Sequence, residues 1–110
     1  MYKQGEIVIV PFPFSNLSSI KQRPVLILSK NEDNNLNEDI ITCGITSNIR
    51  NSKYSVLIEN KDLLEGDIPK PSRIKVDKLF TISQNIIKKK VGRIKKEIFE
   101  KVKSEFIKLM

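Results

Sequence analysis

Residues 5–30, GEIVIVPFPFSNLSSIKQRPVLILSK, constrain the fold more tightly than any other stretch. Two Val- and Ile-rich runs, Ile7–Val10 and Val25–Leu28, carry the β-branched residues that strands favour and are too short for packed helices. Between them Ser15 to Gln22 reads as a polar loop, and Pro11 and Pro13 stiffen the chain on its way in. Arg23 is followed at once by Pro24, which biases the residue before it towards extended geometry. The expected product is a first hairpin with a guanidinium presented where the loop rejoins the sheet.

Short runs continue downstream. Asn31 to Asp39 is polar and turn-rich and reads as an exposed connection. Ile40–Ile45 is a third strand, in which Gly44 marks a bulge or a close approach, and Tyr54–Glu59 is a fourth. Asn60 to Gly66 reads as a short helical turn with Leu63 and Leu64 as its apolar face. Ser72 to Ile82 is a longer strand that Asp77 interrupts or bulges, and Val91–Ile94 is another short one. From Lys95 the period changes: Ile98, Phe99, Val102, Phe106 and Leu109 recur at helical spacing, with lysines and glutamates on the opposite face. That helix is expected to close the core. The order predicts a single α+β domain over residues 1–110, a curled, mostly antiparallel sheet of five to seven strands with a C-terminal helix.

Composition narrows the function. The chain has no histidine and one cysteine, Cys43, which excludes an internal disulfide, a Cys/His zinc site and any Ser-His or Cys-His triad. Cys43, in the apolar setting ITCGI, is expected to be a small, inert core residue. Apolar runs stop at four or five residues, where a bilayer span needs roughly 20, and no secretory signal is visible, so the protein reads as cytoplasmic. Charge is uneven. Residues 1–66 hold seven Lys/Arg against eight Asp/Glu, whereas residues 67–110 hold thirteen against five, for a total of +7. A basic face of this kind commonly serves nucleic acid; a solvated Lys-rich helix is the alternative.

The order GEIVIVPFPF, polar loop, KQRPVLILSK resembles the opening of the MazF/PemK family, the ribonuclease toxins of bacterial type II toxin–antitoxin pairs. The likeness continues through ITSNI, SRIKVDKLFTI and VGRIKKE, to about residue 98. It implies a small SH3-like, plasmid-maintenance-toxin barrel that works as a homodimer without cofactor or metal. It further implies a single-stranded RNA substrate, a cognate antitoxin whose disordered, acidic segment lies across the basic groove, and operator DNA bound only in complex with that antitoxin.

The chemistry so implied needs neither histidine nor metal. The 2′-hydroxyl of RNA attacks the adjacent phosphorus, giving a 2′,3′-cyclic phosphate and a 5′-hydroxyl, if the protein aligns it and stabilises the added negative charge. Arginine suits that charge, because it stays ionised and forks onto two phosphate oxygens. By resemblance Arg23 is the main catalytic residue and Thr46, in ITSNI, the second; an ion pair at a strand end and a structural threonine are their alternatives. Arg23 is assigned transition-state stabilisation before proton transfer, its pKa lying above about 12. Around the pair, Lys21 and the loop from Ser15 to Ile20 border the RNA site, Ser47 and Asn48 are placed to read base edges or sugars, and Ser72 and Arg73 open a strand beside the groove. Phe12 is expected in the core, with Phe14 and Tyr54 as candidates for base stacking. Lys88-Lys89-Lys90 reads as a solvated run, and Glu6 and Asp77 are ionisable residues without a placed role. Two other classes stay open: a CcdB-like toxin acting on a protein target, and a binding-only relative. The absence of tryptophan and the ending Lys108-Leu109-Met110 weigh against the first.

Overall fold

A computed structural model describes residues 1–13 and 20–110. Its strands are β1 (Glu6–Pro13), β2 (Ile20–Ile27), β3 (Asp39–Thr46), β4 (Ser55–Ile58), β5 (Leu63–Gly66), β6 (Ser72–Ser83) and β7 (Lys89–Ile94). Two helices, α1 (Asn31–Leu36) and α2 (Lys96–Leu109), complete the fold. The strands form one curved sheet in the order β4-β6-β3-β2-β1-β7-β5, every pairing antiparallel, a half-barrel with a C-terminal helix. The expected α+β class, strand count and helix are all present.

Alternation along the strands divides the apolar residues between the two faces of the sheet. Ile7, Leu26, Cys43, Ile74 and Ile94 go to one, where Ile98 and Val102 of α2 close over them with Phe99 and Phe106 packed alongside. Val8, Val10, Val25, Ile27 and Ile40 go to the other, a smaller cluster that Tyr2, Phe12 and Ile87 partly cover. Phe12 is half-buried, as a core residue should be, and its ring lies 4.8 Å from that of Phe80.

Register irregularities curve the sheet, since a bulge bends its strand and increases local twist. Between β3 and β6, Cys43 pairs with Leu79 but Gly44 with Lys75, so Val76, Asp77 and Lys78 bulge out of register. That accounts for both the Gly44 and the Asp77 signals. Between β1 and β7, Ile7 pairs with Gly92 and Val8 with Lys90, which leaves Val91 unpaired. Here β5 and β7 nearly touch: a Cβ on Gly66, whose φ is +82°, would stand 2.1 Å from the Val91 carbonyl oxygen. Only glycine tolerates both that backbone conformation and that approach. Lys90 ties the same edge together, its ammonium 3.1 Å from buried Glu6 and also bonded to Glu65. The bonds to Glu65 and then Glu6 raise the Lys90 pKa, and the bond from Lys90 lowers that of Glu65.

Some expectations need correction. Ile20–Gln22 belong to β2 rather than to a loop, because they pair with Pro11–Pro13 of β1; Phe14 and 15–19 of the proposed loop lie outside the described residues. The segment 31–39 is not a featureless connection. It contains α1, and Asn34 is buried there with its amide donating to the Ser29 carbonyl at 3.0 Å and its carbonyl oxygen accepting from the Ser29 hydroxyl at 2.6 Å. The turn after Glu59 stops at Asp62, and β5 takes over, burying Leu63 and leaving Leu64 63% exposed. Pairing with β7 outcompetes the local helical preference there.

Candidate active site

Arg23 is an exposed residue of β2, opposite Val10 of β1. On the other side of β2 the ladder to β3 runs Ile27–Thr42, Leu26–Cys43 and Val25–Gly44. Continued two positions, the same register would bring Arg23 level with Thr46. Thr46 in turn pairs with Arg73 of β6. Directly opposed residues of antiparallel strands share a face, so Arg73 and Thr46 stand together across β6 and β3, while Arg23 lies two residues beyond the last β2–β3 pair, Val25–Gly44.

The strand end beyond Thr46 is built by its own side chains. The Thr46 hydroxyl accepts the Asn48 N–H at 3.1 Å, and the Asn48 side-chain oxygen accepts the Arg50 N–H at 3.1 Å, turns of the kind short polar residues make. Arg73 clamps the loop: its Nε and Nη2 donate to the Ile49 carbonyl at 3.4 and 3.3 Å, and its Nη1 donates to the Ser55 hydroxyl at 3.1 Å. Lys75 adds a bond to the Ser52 hydroxyl at 2.8 Å. The guanidinium of Arg73 therefore shapes the 47–54 loop, a role the sequence did not reveal.

A groove of about 510 Å³ has walls that include Ile9, Pro24, Ile45 and Ile68. Its polar lining brings together Arg23, Ser47 and Ser72 from the sequence-derived set with Gln22, Asp67, Lys70 and Lys89. Lys21, Thr46, Asn48 and Arg73 do not line it; Thr46 lies between Ile45 and Ser47, which do, so alternation along β3 turns its side chain to the other face. Ser72 is buried and donates to the Lys70 carbonyl at 3.1 Å, which fixes the groove's rim. Asp67 is the one carboxylate of the lining, whereas Glu6 and Asp77 are engaged by Lys90 and Lys75. Sequence reasoning missed Asp67, Lys70 and Lys89 because the loop and strand that carry them converge on Arg23 only in the folded sheet. Among the described residues no group of three or more His, Cys, Asp or Glu side chains is placed to hold a metal ion, and no helix is long and apolar enough to cross a membrane.

The fold is shared with known proteins. Among solved structures, an endoribonuclease from a mycobacterial species in complex with its cognate antitoxin matches with a TM-score of 0.79 at 16% identity, over 98% of this chain and 93% of that one. The Mycobacterium tuberculosis toxin MazF-mt6 matches with a TM-score of 0.69 at 19% identity, over 90% and 91%. A MazE–MazF structure from Deinococcus radiodurans gives 0.72 at 16% identity, over 98% and 93%. At such identities these matches establish a shared fold, the MazF-like half-barrel. No curated protein sequence matches significantly. The family model of the PemK-like, MazF-like toxins matches residues 3–110, nearly the whole chain. The chain belongs to the family of PemK-like, MazF-like toxins of type II toxin–antitoxin systems.

Proposed function

We propose that this toxin is a metal-independent, sequence-selective endoribonuclease that cleaves single-stranded RNA. The observation that supports the reading is the groove that Arg23 lines together with Lys70, Lys89, Ser47 and Asp67, in a member of this family. The 2′-oxygen bonds to phosphorus and gives up its proton, and the phosphorus–5′-oxygen bond breaks with a proton delivered to that oxygen. The products are a 2′,3′-cyclic phosphate and a 5′-hydroxyl. Arg23 stabilises the charge that accumulates on the phosphoryl oxygens. Thr46 holds the phosphate or the attacking hydroxyl. Asp67, the groove's carboxylate, accepts the 2′-hydroxyl proton. Lys21, Ser47, Asn48 and Ser72 surround the strand, and Arg73 contributes by holding the 47–54 loop.

The partners follow from the family and from the complexes formed by its structural relatives. They are a cognate antitoxin, a second copy of the toxin, and operator DNA reached only through the antitoxin; the setting is the cytoplasm. The chemistry is tested at the ends of the fragments. Direct labelling of new 5′ ends by a polynucleotide kinase, with no phosphatase step, is the expected result. Ends that label only after phosphatase treatment would refute 2′-hydroxyl attack.

A further inference from the structure

Two lysines of the groove have no part in this chemistry, and their placement gives them one. Ile9 of β1 pairs with Lys89 of β7 on one side and with Pro24 of β2 on the other, so the three stand in a row on one face. With strands spaced about 4.8 Å apart, Lys89 begins roughly 10 Å from the backbone beside Arg23. Lys70 reaches the groove from a different element, the connection between β5 and β6. It lies between Pro69 and Pro71, which restrict its backbone. The arm is anchored by buried Ile68, whose N–H donates to the Asn60 side-chain oxygen at 2.8 Å.

Neighbouring cations are already committed. Lys90 serves Glu6 and Glu65, and Lys75 serves Asp77 and Ser52. Lys70 and Lys89 are exposed, and among the described residues neither has a carboxylate within ion-pair distance. With Arg23 they give the groove three cations against the single carboxylate of Asp67. A ligand with regularly repeated negative charge complements such a groove, as a single-stranded phosphodiester backbone does.

We propose that Lys70 and Lys89 are phosphate-binding residues that grip the RNA backbone at phosphates neighbouring the one held by Arg23. The inference rests on the ribonuclease reading and extends it: the substrate must be longer than the dinucleotide that is cut. The test is the salt dependence of binding to a fluorescent RNA 2′-O-methylated throughout, which cannot be cleaved. Each of Lys70→Ala and Lys89→Ala is expected to lower the slope of log affinity against log salt by about 0.7, and the double variant by about 1.4. Lys70→Arg and Lys89→Arg are expected to retain the wild-type slope. Unchanged slopes in the alanine variants, or slopes that arginine fails to restore, would overturn the proposal. Because this RNA is inert, the binding result stands whether or not unmodified RNA is cut, so failure of the nuclease reading is separately visible.

Discussion

The chemistry proposed for Arg23 and Thr46 draws on residues of two separate strands, β2 and β3. Arg23-Pro24 and ITSNI are legible as motifs, and the strands that carry them, β2 and β3, pair directly. Arg23 is exposed, so Arg23→Ala is expected to fold normally and to lose cleavage by about 10²–10³-fold, the range for removing one preorganised donor from a transition state. Single-turnover rates on one RNA check this. Asp67→Asn removes the groove's carboxylate without changing its shape, and a rate loss of about 10²-fold or more is expected for a general base. An unchanged single-turnover rate would dismiss Asp67 from that role. Cys43 was legible as a core residue, and burial, with a smaller contribution from Asp77, pushes its thiol up to about 12. The folded protein therefore keeps its proton where the unfolded chain would lose it. The stabilisation is complete below the ordinary thiol range, about 8.5, and is lost as pH rises through that window towards 12. Urea midpoints measured between pH 8 and 10.5 should fall with pH, and Cys43→Ala should flatten that part of the decline.

Among the elements, those with a strong period were legible and those decided by pairing were not. The spacing of Ile98, Phe99, Val102 and Phe106 specifies α2 and its buried face without help from the rest of the chain. Leu63–Gly66 has no such pattern. It becomes a strand because β7 offers an edge and because Gly66 and Gly92 let the two backbones approach. The sequence hinted at a helical turn there, and the tertiary partner overrode it. Gly66→Ala forces a Cβ against the Val91 carbonyl at a positive φ, and a loss of at least about 1–3 kcal/mol is expected from backbone strain alone. Equilibrium urea unfolding measures it, and a variant as stable as wild type would show that β5 and β7 do not meet this closely. Ile98 is buried where α2 meets the sheet, so Ile98→Ala should cost about 2–5 kcal/mol in the same experiment.

For the whole molecule, class and family were within reach of the sequence because the motifs recur in order over almost its full length, whereas the order of strands in the sheet was not. Nor was the groove. Its lining comes from β1, β2, β3 and the residue after it, the β5–β6 connection, β6 and β7, and no local pattern announces that these converge. The excess charge of residues 67–110 hinted at a basic face, yet the structure divides those lysines by role. Some close the sheet edge, some coat α2, and Lys70 and Lys89 face the groove. The bulges at Gly44 and Val91 supply the curvature that turns a seven-stranded sheet into a half-barrel with a concave site.

Incubating a long, mixed-sequence RNA with the purified protein in EDTA, beside Arg23→Ala and Thr46→Ala, is the most direct trial of the assignment. Discrete cuts bearing 5′-hydroxyl ends are predicted for the wild type, with both variants inactive although folded. Cutting that persists in Arg23→Ala, or no cutting of several RNAs by folded wild-type protein, would contradict it.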